Sequence, residues 1–150
     1  MKISIGSDHG AYNEKATIVK HLEALGYEVK DYGTHSADSV DYPDYIKPVA
    51  NDVSSNVADF GIVLCGTGIG ASIVANKVRG IRCALVYDPE VAITTRLHNN
   101  SNVLALGGRI TPIDVMLKIV DNWLNTEYSN EERHNNRITK IKEVEYENQR

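Results

Sequence analysis

The sequence holds only two cysteines, Cys65 and Cys83, in 150 residues. That excludes a disulfide framework and suits a reducing compartment. It has no long hydrophobic run: the apolar stretches at 61–65 and 83–87 fall far short of the roughly 18 residues that span a bilayer. The first ten residues, MKISIGSDHG, carry an acid and a histidine where a signal peptide keeps its apolar stretch, so a cytoplasmic location is expected. Basic charge is not in excess either. Sixteen Lys and Arg against 20 Asp and Glu leave a net charge of −4, which argues against nucleic acid and anionic membrane as partners. The five histidines have no metal-ligand spacing, and two distant cysteines make no zinc site, so no metal is expected. Repeats, low-complexity tracts and linkers are lacking. One domain over 1–150 is therefore expected, and a chain of this length buries about 70% of its unfolded surface.

What is present is an alternation of β-rich runs and helical patterns. Residues 2–6 (KISIG) read as a strand. An amphipathic helix follows over 13–25, with Ala16, Val19, Leu22 and Leu25 on one face and Gly26 closing it. Residues 27–32 form a more alternating strand, near an edge. A polar loop with Pro43 spans 34–44, and a helix spans 45–54 with Ile46, Val49, Ala50 and Val53 on one side. The run 60–65 (FGIVLC) is apolar throughout, the signature of a strand buried on both faces. A glycine-rich turn at 66–70 opens a helix to about residue 78. Residues 82–87 read as another buried strand, and Pro89 starts a helix to about 97. Residues 102–106 are a fifth strand, and Thr111-Pro112 cap and begin a helix to 124. The segment 130–150 carries five acids and five bases from Glu131 onward, with one narrow apolar stripe of Ile138, Ile141 and Val144. Such a helix lies on a surface or packs on a partner subunit. The fold class is α/β: a three-layer α/β/α sandwich with a five-stranded parallel, Rossmann-like sheet and an additional C-terminal helix.

Ligands of such sheets bind beyond the carboxyl ends of the strands. The residues expected on that rim are Asp8, His9 and Gly10, the run Cys65–Gly70, Asp88, the trio His98, Asn99 and Asn100, and Gly107, Gly108 and Arg109. The glycine loop allows three readings. It fits a dinucleotide fingerprint, Gly66-x-Gly68-x-x-Ala71 with Asp88 about twenty residues on. It also fits an anion hole for a developing enolate beside Cys65, or a tight strand-to-helix turn without a ligand. Cys65 is either an inert core residue or, at a strand end facing a helix N-terminus, a thiolate base or nucleophile. A Cys65–Cys83 disulfide is not expected, because opposite ends of neighbouring parallel strands are about 13 Å apart. His21 reads as a plain surface residue and His35 as uninformative. His9 and His98 read as acid–base groups or anion donors. Arg133 and Arg137 share a helix face, as a solvated salt-bridge surface or as a two-arginine phosphate clamp.

Together the segments GSDHG (6–10), DYPDY (41–45), LCGTGIGASIVANKVRGIR (64–82), RLHNNSNVLALGGR (96–109) and RHNNR (133–137) resemble the family of B-type ribose-5-phosphate isomerases, which also holds galactose-6-phosphate and allose-6-phosphate isomerases. The match runs in order along essentially the whole chain. The resemblance implies an aldose–ketose isomerase that interconverts ribose 5-phosphate and ribulose 5-phosphate, in the pentose phosphate pathway, through a cis-enediolate. It implies no cofactor and no metal, and a homodimer or homotetramer with active sites shared between subunits. By the same resemblance Cys65 is the base, and Thr67 with the backbone of Gly66, Gly68 and Gly70 holds the enediolate oxygens. His98 opens the furanose ring, Asp8 and Asn99 meet the sugar hydroxyls, and Tyr42 borders the sugar. His9, Arg133, Arg137 and Arg109 hold the phosphate.

Two departures from the family pattern stand out. Asn100 replaces a common Asp, which bears on support for His98, and Glu131-Glu132 replace small residues before the clamp. The alternatives are a six-carbon isomerase of the same family or a non-catalytic nucleotide- or flavin-binding module. The net charge of −4 does not oppose a phosphate, which feels its local site within a Debye length of about 8 Å.

Overall fold

The structure, a computed structural model, describes residues 1–148. Its elements alternate as β1 (Lys2–Ser7), α1 (Tyr12–Ala24), β2 (Glu28–Asp31), α2 (Tyr42–Ser54), β3 (Phe60–Cys65), α3 (Ile69–Asn76), β4 (Cys83–Leu85), α4 (Pro89–Asn99), β5 (Val103–Gly107), α5 (Ile113–Leu124) and α6 (Glu132–Glu147). The five strands form one parallel sheet in the order β2-β1-β3-β5-β4. Side chains alternate across it. On one face Ile3, Ile5, Ile62, Leu64, Leu104 and Leu106 pack with Ile18, Leu22, Met116, Ile119 and Trp123 of α1 and α5. On the other, Val63, Cys65, Val103 and Ala105 pack with Ile46, Val49, Ala50, Ala71 and Ala75 of α2 and α3. Among the described residues no helix is long and apolar enough to cross a membrane.

Most boundaries shift by a residue or two from the reading of the sequence, and five differences are larger or change where a side chain sits. Helix α2 begins at Tyr42, not residue 45, because Pro43 occupies its first turn, where a fixed φ and a missing N–H cost nothing. Strand β4 is three residues of an edge strand and only half-buried, not a buried 82–87 run. The side chain of Asn76 takes the place of a neighbouring strand there: Cys83 N–H donates to Asn76 Oδ1 (2.8 Å), and Asn76 Nδ2 donates to Cys83 O (3.0 Å). Helix α4 runs past 97, so His98 and Asn99 are its last turn and Asn100 its left-handed cap. Pro112 is the N-cap of α5, and the buried Thr111 hydroxyl has no partner among the described residues. The charged C-terminal helix starts at Glu132 and buries only His134 and Ile138, with Ile141 and Val144 exposed; the last two residues of the sequence's 130–150 segment lie outside the described residues.

Candidate active site

The chain leaves β1 for β2 on one side and returns to β3 on the other, so the loops after β1 and β3 diverge and leave a crevice between them. An open cleft of about 480 Å³ lies there, lined by Asp8, Tyr42, Cys65, Gly66, Thr67, Ile69, Gly70 and Ile73. Its floor is Cys65, the last residue of β3 and 5% exposed. The chain then turns through Gly68, whose φ of +80° makes it the left-handed N-cap of α3. This turn aims the Gly68 N–H at Cys65 Sγ, 3.2 Å away. The sulfur therefore sits at the positive end of a helix whose first N–H groups have no intrahelical partner. Thr67 is exposed; its Oγ1 accepts the Ile69 N–H (3.2 Å), which leaves its own hydroxyl proton to donate. Tyr87 donates its hydroxyl to the Thr67 carbonyl (2.5 Å) and braces the loop from beyond β4.

The walls come from neighbouring loops. Asp8 is buried and its Oδ1 accepts the Gly10 N–H (2.9 Å). The loop after β5 is tied to the glycine loop by Gly108 N–H to Cys65 O and Arg109 N–H to Gly66 O, both 2.9 Å. Arg109 lies over Gly10 and Gly66: a Cβ on either glycine would meet it at 3.4 Å. His9 Nδ1 accepts the Val40 N–H (3.1 Å). That fixes its neutral tautomer with the proton on Nε2, a donor to an anion. The Tyr42 ring packs on Gly70, where a Cβ would stand 2.6 Å from Cζ.

His98 and Asn99 are not on this rim, which corrects the sequence reading. Residues that immediately precede a parallel strand lie at its amino end, and residues that follow it lie at its carboxyl end. Arg82 Nε donates to Asn100 O (3.0 Å), and the Asn102 N–H donates to Arg82 O (3.0 Å), where β4 and β5 begin. Cys65 pairs instead with Gly107, at the end of β5. Four residues of strand, about 13 Å at 3.3 Å per residue, separate the two levels. Asn99 lines a different hollow with Arg82, Cys83, Ser101 and Ile141. Arg133 and Arg137 are at this second end too, on α6 beside His98, so within one chain they are apart from His9 and Arg109. Arg133 Nη2 meets Glu131 Oε2 at 3.0 Å, so the acid that departs from the family pattern pairs with this arginine. Among the described residues no hydrogen bond joins Asn100 to His98; the Asn100 Oδ1 accepts from Arg96 Nη1 (3.0 Å).

Other candidates have structural roles. Asp88 caps α4, accepting the N–H groups of Glu90 (2.7 Å) and Val91 (3.4 Å), and so is occupied where a dinucleotide site needs its acid. His21 is not a plain surface residue: it is half-buried and pairs with Asp121 at 2.7 Å, linking α1 to α5. His35 is exposed. Burial pushes the Cys83 thiol up to about 12, and both cysteines are free. The sequence reading did not single out Arg96 or His134. Arg96 is buried and ties the Thr126 and Ser101 carbonyls and Asn100 to α4. His134 is 5% exposed and stacks on His98, ring centroids 4.4 Å apart at 18°. Its signal lay in the motif RHNNR, between the two arginines.

A cysteine floor, an N–H cradle and a hydroxyl, with a guanidinium nearby, line one cleft at the carboxyl ends of a parallel α/β sheet, an arrangement suited to negative charge. The chain belongs to the ribose/galactose isomerase family, whose pattern matches residues 3–141, and it is thus an enzyme of the isomerase class. It is 43% identical to ribose-5-phosphate isomerase B of Escherichia coli over 144 residues, 96% of each chain. Ribose-5-phosphate isomerase B of Clostridium thermocellum has the same fold, with a TM-score of 0.97 and 51% identity over 99% of this chain and 100% of that one. The isomerase of Mycoplasma genitalium with bound ribulose-5-phosphate follows at a TM-score of 0.93 and 40% identity, with 97% of each chain covered.

Proposed function

We propose that the protein interconverts ribose 5-phosphate and ribulose 5-phosphate, with Cys65 as the base. The observation that carries this is Cys65 Sγ at the floor of the cleft, hydrogen-bonded to the Gly68 N–H at the N-terminus of α3. Abstraction of a proton alpha to a carbonyl needs a positioned base and a stabilised oxyanion, and this arrangement supplies both. The furanose opens first. The C1–ring oxygen bond breaks, the ring oxygen takes a proton from His98, and the anomeric hydroxyl gives one up, so no net proton is consumed. The Cys65 thiolate then removes the C2 proton, and the C–H electron pair forms the C1=C2 bond of the cis-enediolate. Thr67 and the N–H groups of 66–70 hold its oxygens, with Asp8 at the hydroxyls and Tyr42 against the sugar. The thiol returns its proton to C1 while the proton on O2 passes to O1, which completes the ketose.

His98, Asn99, Arg133 and Arg137 stand at the opposite end of the sheet from Cys65, and this supports a homodimer, or a tetramer of such dimers. One chain then contributes the cleft with His9 and Arg109, and a second copy contributes the ring-opening histidine and the arginine pair. Pentose and hexose phosphates are separated by kcat/KM on ribose 5-phosphate, allose 6-phosphate and galactose 6-phosphate, with Cys65→Ala measured beside the native chain. The expected result is a preference for the five-carbon substrate and a loss of at least about a hundredfold in kcat without Cys65. A six-carbon preference overturns the substrate, and a fully active Cys65→Ala overturns the base.

A further inference from the structure

We infer that His134 is a positioning residue that holds the imidazole of His98 by stacking and the guanidinium of Arg133 by accepting its hydrogen bond. The inference rests on the proposed roles of His98 and Arg133. His134 lies in the first turn of α6 and is buried, whereas His98, on the last turn of α4, is exposed. Among the described residues the His98 ring has no hydrogen-bond partner, and the parallel stack at 4.4 Å is what fixes its plane. Most acid–base histidines are oriented by a carboxylate or carbonyl that occupies one ring nitrogen. A stack orients the ring and leaves both nitrogens available for the sugar.

The second contact sets the state of His134. Arg133 Nε lies 3.3 Å from His134 Nε2, and a guanidinium can only donate. Glu131 Oε2 also stands 3.5 Å from Nε2, but that carboxylate is met at 3.0 Å by Arg133 Nη2, so Nε2 serves Arg133 as the lone-pair nitrogen of a neutral ring with its proton on Nδ1. Burial first, and then the positive field of His98, Arg133 and Arg137 against the opposing field of Glu131, depress the basicity of His134 in the same direction. A neutral ring under His98 lets His98 take up and give out a proton without a second imidazolium in contact. Arg133 is held on two sides, by His134 at Nε and by Glu131 at Nη2, so its approach to a phosphate is set before the ligand arrives. One side chain thus registers the ring-opening group against the phosphate-binding group.

The two contacts separate by substitution. His134→Phe keeps a ring to stack and loses the acceptor. His134→Gln keeps an acceptor and loses the stack. With ribose 5-phosphate, His134→Phe is expected to raise KM about fivefold and to lower kcat less than about threefold, since one phosphate contact is loosened and the acid stays oriented. His134→Gln is expected to lower kcat about tenfold or more with little change in KM. Placed on His98→Gln, the His134→Gln change is expected to cost no further kcat, as it acts through His98. Equal effects of Phe and Gln on both constants, or a full additional loss in the His98→Gln background, overturn the inference. Circular dichroism and thermal melting establish that each variant is folded at the assay temperature. If the native chain does not turn over ribose 5-phosphate, the proposed substrate fails; if it does and the variants do not split, only the role of His134 fails.

Discussion

Replacing Gly68 by Ala tests the geometry of the glycine loop, and its proposed part in catalysis, through stability and activity together. Gly68 has φ +80° and ψ −11°, a left-handed conformation that costs a residue with a Cβ about 1–2 kcal/mol. A Cβ there would also stand 2.7 Å from Leu85 Cδ1 and 2.8 and 2.9 Å from the carbonyl carbon and oxygen of Leu106. Leu85 can rotate away, but the Leu106 backbone is held in β5, so overlap adds about 1–3 kcal/mol. The sum is about 2–5 kcal/mol, or a fall in Tm of about 5–15 °C for a chain of this size. Gly26 provides the control: its φ is +92°, and a Cβ there meets nothing within 4 Å. Gly26→Ala is expected to cost only the backbone strain, about 1–2 kcal/mol. Urea unfolding of both variants at equal protein concentration isolates the overlap as their difference. The same shift pulls the Gly68 N–H from Cys65 Sγ, so kcat of Gly68→Ala is expected to fall about 10- to 100-fold while Gly26→Ala retains its rate. Equal stability losses in the two variants, with the rate of Gly68→Ala intact, refute this account of the loop.

Two further predictions concern buried charge. Lys15, 1% exposed, donates to both oxygens of Asp31 (2.7 and 2.8 Å). Asp31→Asn strands the ammonium and is expected to cost about 3–5 kcal/mol, whereas Lys15→Met leaves a partly exposed carboxylate still held by the Gly33 N–H and costs less, as urea unfolding will show. His134 binds its proton less readily folded than unfolded, because burial and neighbouring positive charge disfavour its cation. Its contribution to stability is complete above the ordinary value of 6.5 and is lost as pH falls below it, so Tm between pH 7 and 5 is expected to fall less steeply in His134→Gln than in the native chain.

The sheet and the cleft were legible because their signals are local. An unbroken FGIVLC run reads as a strand covered on both faces, and three glycines after it read as a turn at the strand end where backbone N–H groups can approach a ligand. The glycine segment, Asp8 and Tyr42 accordingly line one cleft. Properties set by strand order were not legible. The run 83–87 has no charged residue, like 60–65, yet β4 is an edge strand, since β5 inserts between it and β3. His21 and Asp121 are 100 positions apart and meet only because α1 and α5 cover the same face. Arg96 reads as an ordinary helical arginine until three backbone and side-chain acceptors from two segments, Asn100-Ser101 and Thr126, close around it.

The largest misplacement, that of His98, follows from chain direction and has a consequence that can be measured. Grouping it with the strand-end residues treats the approach to β5 as though it were the exit. In a parallel sheet the two lie at opposite ends, so one chain cannot bring His98 to the Cys65 that its own β3 presents. If two copies supply the halves across a twofold axis, Cys65→Ala and His98→Gln each disable every site of their own homodimer. Unfolded together and refolded as an equal mixture, the two variants form hybrids in which one site joins the Cys65 of one chain to the His98 of the other. Random pairing makes half of the dimers hybrid, each with one intact site of two, so about a quarter of native activity returns. Recovery to that level from two nearly inactive proteins has no source within a single chain. A mixture no more active than its parents would mean that each chain completes its own site, and the position of His98 at the amino end of β5 would then have to change before catalysis.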